Sequence, residues 1–138
     1  MRKISVRDFM TKKVITFKPD TAIYVAIDTL VKNEISGASV VDDKGRLVGI
    51  VSEKDCLRIL ANGVFHSEPG GTVEDYMTEA VVSIHADTDI FTVADLFLKN
   101  IYRRMPVLEE GRVIGQVSRR DVLRAIQEIK DSQQADTY

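Results

Sequence analysis

The sequence predicts an α/β fold of the mixed α+β kind, built from two βαββα repeats, each a small three-stranded sheet packed with two helices. Three observations predict it. The stretch Gly49-Ile50-Val51-Ser52-Glu53-Lys54-Asp55 is written again as Gly115-Gln116-Val117-Ser118-Arg119-Arg120-Asp121. Val6-Arg7-Asp8-Phe9-Met10-Thr11 likewise returns as Val73-Glu74-Asp75-Tyr76-Met77-Thr78. Between these markers each half runs through the same order of strand, helix, hairpin and helix.

The elements follow in order. Val14-Ile15-Thr16-Phe17 and Val81-Val82-Ser83-Ile84 are rich in β-branched residues and read as the first strand of each half. Asp20-Thr21 and Asp87-Thr88 stand where the next helix should be capped. In the second half Ile90, Val93, Ala94, Phe97, Leu98 and Ile101 recur at helical spacing; the first half has Ala22, Ile23, Ala26, Ile27 and Leu30. Hairpins follow, Ala38 to Asp42 with Arg46 to Val51, and Met105 to Glu109 with Arg112 to Val117, the second turn being one residue shorter. The last helices are expected from Glu53 to about Ala61, with Leu57 and Leu60 buried, and from Arg119 to about Ile129, with Val122, Leu123 and Ile126 buried. The organisation predicted is a first repeat over 1–66, a second over 67–129 and a polar, fraying tail over 130–138. Asn62-Gly63 and Ser67-Glu68-Pro69-Gly70-Gly71 read as the connector, with Val64 and Phe65 able to pack. Each repeat alone leaves a sheet face half covered, so the two are expected to form one compact module.

Composition narrows the function classes. The chain has 138 residues, enough to bury about two-thirds of its unfolded surface without staples. Hydrophobic residues at 44% and charged at 29% are ordinary globular values, and a net charge of -2 argues against broad nucleic-acid binding. With a single cysteine, no apolar run near the ~20 residues of a membrane span and no signal-peptide core, the expectation is a cytoplasmic protein without membrane association.

The duplicated stretch carries the chemistry. Each copy ends a strand and opens a helix, with Gly permitting close backbone approach, Ser at the N-cap and Asp three residues on, so that hydroxyl, amide groups and carboxylate converge at an anion-attracting helix end. The same residues also make a capping box, Ser-x-x-Asp, which needs no ligand. Recurrence in one context favours a site.

On these residues the chain resembles tandem cystathionine beta-synthase (CBS) domains, the pair called a Bateman module. The likeness runs from Val6 to about Ile129, with Met-Thr before the first strand, the hairpin, and Gly-x-x-Ser-x-x-Asp closing each repeat. The resemblance implies pseudo-twofold symmetry, two clefts between the repeats, frequent homodimers, and regulatory binding of AMP, ADP, ATP, NAD or S-adenosylmethionine. A carboxylate with two acceptor oxygens suits a ribose's vicinal hydroxyls, the role expected of Asp55 and Asp121. Ser52 and Ser118 suit a phosphate oxygen. Val14 and Ile15, or Val81 and Val82, would carry the purine. The second site adds Arg103, Arg104, Met105, Pro106, Arg119 and Arg120, a set that resembles the family's basic residue before a hydrophobic-Pro-Val strand. The first has Ser36, Gly37 and Ala38 in the matching stretch, Ser39 where the proline stands, and Lys54 beside Glu53. The Asp121 site is therefore expected to prefer a charged nucleotide, and the Asp55 site to prefer a less charged adenosine compound, to bind weakly or to stay empty.

The remaining residues read as structure. The four arginines also fit a solvated basic face, and a nucleic-acid module is disfavoured by 7% aromatics without Trp. His66 and His85 read as surface residues, Cys56 as core, Asp8 and Asp75 as helix-start charges, and Met10, Met77 and Met105 as core fillers. No metal site, catalytic cofactor or nucleophile-base pair is predicted, and the chain is not expected to be an enzyme. Two readings stand: a sensor in which an adenosine ligand signals through a dimer or an unidentified effector protein, and a ligand-free dimerisation or docking scaffold.

Overall fold

The first side chain wholly withdrawn from water is Val6, in a 3-10 turn Val6–Asp8 whose Asp8 carboxylate accepts the Ser5 N–H at 3.0 Å. Its counterpart is α3, Val73–Tyr76, where Asp75 accepts the Thr72 N–H at 2.9 Å and Val73 is equally buried. Both are capping boxes, so Asp8 and Asp75 serve as helix-start charges as the sequence suggests. The computed structural model describes residues 3–61, 70–79 and 81–137. The expectations placed on Asn62, Gly63, Val64, Phe65, His66 and Ser67 to Pro69 lie outside the described residues.

The folded chain divides into two compact units, Val14–Val81 with Gly111–Val113, and Met1–Lys13 with Val82–Glu110 and Ile114–Tyr138. They are called here the Asp55 unit and the Asp121 unit. The compact units do not follow the repeat boundary in the sequence: the segment leading into each repeat packs in the unit of the other.

The Asp55 unit holds β1 (Thr16–Phe17), α1 (Ile23–Lys32), β2 (Gly37–Val41), β3 (Leu47–Ser52), α2 (Glu53–Ala61) and α3. Its sheet runs β1-β2-β3, with β1 parallel to β2 through Thr16↔Ser39 and Phe17↔Val40, and β2 antiparallel to β3 from Gly37↔Ser52 to Val41↔Leu47. The Asp121 unit holds β4 (Ile84–His85), α4 (Ile90–Lys99), β5 (Arg104–Glu109), the greater part of β6 (Arg112–Ser118) and α5 (Arg119–Thr137). Its sheet order is β4-β5-β6, with β4 parallel to β5. Both sheets are therefore three-stranded with helices, as the βαββα pattern requires.

The cores match position by position. Val73, Phe17, Ile23, Leu30, Val40 and Val51 fill one; Val6, Ile84, Ile90, Phe97, Val107 and Val117 fill the other. Where they differ, volume is traded within the unit. Ala26, Ala38 and Ile59 in the first stand against Val93, Met105 and Ala125 in the second. Close-packed interiors tolerate such swaps when total volume is kept.

Several expected details are corrected. The first strands are shorter, because only Thr16–Phe17 and Ile84–His85 find a parallel partner. The α4 cap is Asp89, whose Oδ1 accepts the Thr92 N–H at 2.9 Å, and α1 starts after Ala22 without a side-chain cap. Leu57 and Leu60 are exposed; the inward face of α2 is Asp55, Cys56 and Ile59. Leu123 and Ile126 are likewise outside, and Val122 and Ala125 inside. Leu98 and Ile101 are exposed as well. In α2 and α5 the apolar residues form two adjacent stripes one residue, or about 100°, apart, and periodicity alone does not say which faces in. Finally, α5 continues through the tail to Thr137.

Candidate functional site

Asp55 sits in the first turn of α2, directly after β3, with 5% of its surface exposed. Its Oδ2 accepts the Ser52 N–H and the Ser52 hydroxyl, each at 2.9 Å, while the Asp55 N–H returns a bond to Ser52 Oγ at 3.2 Å. Oδ1 accepts from Thr78 Oγ1 at 3.3 Å and from Arg58 Nη2 at 3.2 Å. Burying a carboxylate this far is costly unless its oxygens are hydrogen-bonded, and these partners supply the bonds.

The Asp121 unit repeats the arrangement at the start of α5. Asp121, 1% exposed, takes the Ser118 N–H at 2.8 Å and the Ser118 hydroxyl at 3.1 Å on Oδ2, and the Asp121 N–H reaches Ser118 Oγ at 3.2 Å. Thr11 Oγ1 lies 3.2 Å from Oδ1 and 3.4 Å from Oδ2, and Arg124 Nη2 bonds Oδ1. The capping box read from the sequence is thus present in both copies.

The glycines of the motif explain how threonine reaches the acid. Thr78 pairs with Ile50 and Thr11 with Gln116 through short antiparallel bridges on the outer strand. A Cβ at Gly115 would stand 2.7 Å from the Thr11 carbonyl oxygen, and one at Gly49 3.0 Å from that of Thr78. Any side chain there would push the Met-Thr segment, and its hydroxyl, away from the carboxylate.

The expected residues fall as follows. Val14, Ile15, Ser36, Gly37, Ala38, Ser52, Lys54 and Asp55 all belong to the Asp55 unit. Ser36 takes part directly, since its carbonyl accepts the Glu53 N–H at 2.9 Å and Gly37 pairs with Ser52. Val82, Arg103, Arg104, Met105, Pro106, Ser118, Arg119, Arg120 and Asp121 belong to the Asp121 unit, and Val81 is the last residue of the other unit's main segment. The Arg103 carbonyl accepts the Arg119 N–H at 3.3 Å, which brings Arg103, Arg119 and Arg120 to one helix start. Arg103, Arg119 and Arg120 are exposed, Arg104 half-buried, and Arg119 Nε also bonds the Tyr102 carbonyl at 3.2 Å. Met105 and Pro106 are buried in β5.

Among the described residues, four that touch the carboxylates are absent from the expected set: Thr11, Thr78, Arg58 and Arg124. The signal for them is in the sequence. Met-Thr recurs as Met10-Thr11 and Met77-Thr78, and the motif continues past the aspartate as Asp55-Cys56-Leu57-Arg58 and Asp121-Val122-Leu123-Arg124. Reading the repeat as closed at the aspartate leaves out the arginine one turn on.

The surroundings carry less chemistry. Burial pushes the Cys56 thiol up from its ordinary range, which suits a core residue. His85 is exposed, its Nδ1 accepting the Asp87 N–H at 3.1 Å. In the Asp121 unit Arg7 joins Asp87 at 3.1 Å and Glu109, whose carboxyl that hydrogen bond holds below its usual range. Among the described residues no three His, Cys, Asp or Glu side chains are grouped to hold a metal. A groove of about 1030 Å³ runs past Lys3, Phe9, Phe91 and Glu128, and none of the expected site residues lines it. No helix among the described residues is long and apolar enough to cross a membrane.

The family model described as CBS domain matches residues 6–62 and again 73–128. The chain is 31% identical over 121 residues to the uncharacterized protein MJ1225 of Methanocaldococcus jannaschii, spanning 88% of this chain and 42% of that protein. It is similar in structure to CBSX2, a CBS-pair protein of Arabidopsis thaliana, in a crystal structure with AMP, at TM-score 0.80 and 34% identity over 92% of this chain and 98% of that one. It is similar also to the CBS domain pair of protein MJ0100 in complex with 5-methylthioadenosine and S-adenosyl-L-methionine, at TM-score 0.73 and 30% identity over 92% of this chain and 98% of that one.

Proposed function

The chain belongs to the CBS domain family as a tandem pair, and from that premise we propose that it is a regulatory, non-enzymatic module that binds an adenosine compound. In this reading Asp55 and Asp121 each receive a ribose, and occupancy is passed on through a homodimer or an effector protein. The observation that supports it most is the likeness, over 92% of this chain, to a CBS pair crystallised with AMP, together with the twinned carboxylates. The second neighbour, with S-adenosylmethionine and methylthioadenosine, supports the adenosine moiety as the common element and leaves phosphate as the variable one.

The phosphate preference is proposed to differ between sites. Arg119 and Arg120 open α5, with the Arg103 carbonyl on its first N–H; Glu53 and Lys54 open α2, with Ser36 in that place. Guanidinium groups favour bidentate anion recognition. The Asp121 site is the one for AMP, ADP, ATP or NAD, and the Asp55 site takes a less charged compound, binds weakly or stays empty.

A second reading has its own support: both carboxylates already hold internal donors, and apolar side chains stand outward on helices of each unit, Leu57 and Leu60 in one, Phe91, Leu98, Leu123 and Ile126 in the other. A second copy of the chain is the proposed cover for these faces, in a dimer that forms with or without ligand. Thermal unfolding with AMP, ADP, ATP, NAD and adenosine, against cytidine and guanosine, separates the readings. An adenosine compound at ~100 times its Kd adds about 2.7 kcal/mol, a rise on the order of 5 to 10 °C for a chain of this size. No rise with any adenosine compound leaves the scaffold.

A further inference from the structure

We infer that Arg58 and Arg124 are built-in competitors for the sugar, an inference that rests on the ribose reading of Asp55 and Asp121. A carboxylate offers about four acceptor positions. At Asp121 these are met by the Ser118 N–H, the Ser118 hydroxyl, the Thr11 hydroxyl and Arg124 Nη2; at Asp55 by the Ser52 N–H, the Ser52 hydroxyl, Thr78 and Arg58 Nη2. A ribose hydroxyl can enter only if one donor leaves.

The donors differ in their freedom to go. The serine amide is fixed where strand meets helix, and the serine hydroxyl is held by the aspartate's own N–H. Each threonine is carried by a backbone bridge, Thr11 to Gln116 and Thr78 to Ile50. The arginines alone stand at the end of long stems, with side chains 55% exposed for Arg58 and 59% for Arg124. They can swing into water at little cost, whereas the acids cannot.

The exchange selects the ligand. A nucleoside replaces an ion pair by a hydrogen bond from an uncharged hydroxyl, in which only the acceptor is ionised, and leaves a guanidinium without its anion. A nucleotide brings an anion with it. Both arginines thereby weaken nucleosides more than nucleotides, and the same device is present in both units.

The test is calorimetric titration of adenosine and AMP into the wild-type chain, R124M, R58M and D121A, each also unfolded in urea. In R124M adenosine binds at least about fivefold tighter, the effect of an ion pair worth about 1 kcal/mol, and its affinity moves toward that of AMP. A merely structural arginine would lower stability and leave adenosine affinity unchanged or reduced, and that result overturns the inference. Should R124M fail to fold, R58M decides by the same criterion. Loss of binding in D121A without a gain in R124M keeps the ribose seat and removes the competitor. A D121A protein that binds AMP as well as wild type, or binding by none of the proteins, removes both.

Discussion

The Asp55 and Asp121 units hold their acids in the same way, by the serine amide and hydroxyl, a threonine from the lead-in segment and an arginine one turn further on. Around these nests they diverge. Arg119 and Arg120 face Glu53 and Lys54 in the alignment, and Pro106 faces Ser39. Thr11 reaches both carboxylate oxygens, whereas Thr78 reaches one. What both halves share is what the fold needs to bury a charge at a helix start; what differs is the ring of charge outside it. Ligand preference should therefore vary with the flanks, and stability with the nests.

The strongest disruption is a side chain at the motif glycine. G115V should cost about 3 kcal/mol and G49V about 2, the range of overpacked sites, read from urea unfolding. The order follows from the obstacle: at Gly115 the nearest atom is the Thr11 carbonyl oxygen at 2.7 Å, while at Gly49 it is the flexible Met77 sulfur at 2.7 Å, with backbone at 3.0 Å. A reversed order would mean that the two lead-in segments are not held alike. Next come D121N and D55N. Each places an amide among donors that expect an acceptor, and each should lose about 2 kcal/mol, the two agreeing within about 0.5 kcal/mol. A wider gap would show that the nests are not equivalent. T11V and T78V should each cost about 1 kcal/mol, with the larger loss at Thr11.

Acid gives the smallest and broadest effect. Asp89, held below its usual range by the Thr92 N–H, and Glu109, held by Arg7, both lie in the Asp121 unit; Asp42, held by the Arg46 N–H, lies in the Asp55 unit. A depressed folded pKa adds stability that is complete above the ordinary carboxylate range near pH ~4 and is lost as pH falls through the lower folded value. Hydrogen exchange from about pH 6 to 3 should show protection falling more in the Asp121 unit. Equal or opposite loss would point to other carboxylates.

Much of this architecture is legible in the chain because it is written twice. The hairpins, the helix starts at Glu53 and Arg119, and the serine-aspartate boxes recur with their spacing, so local chemistry suffices to place them. The exchange of lead-in segments is not legible, since Val6 and Val73 look alike and either could complete either core. Nor is the inward stripe of α2 and α5. Leucines beside a cysteine or an alanine look like the core, yet the buried acid fixes the helix rotation and sends Leu57, Leu60, Leu123 and Ile126 outward. The duplicated motif marks the two buried acids and passes over Arg58 and Arg124, because an arginine one turn beyond a motif ordinarily reads as surface.

The two buried carboxylates are proposed to be sugar seats. Calorimetric titration of AMP into wild type, D121A and D55A, each shown to be folded by circular dichroism, tests it most directly. D121A is expected to weaken the tighter, phosphate-dependent binding roughly ten- to hundredfold, for lost bonds on the order of 1.5 to 3 kcal/mol, and D55A to leave it in place. Unchanged AMP binding by a folded D121A protein would contradict it.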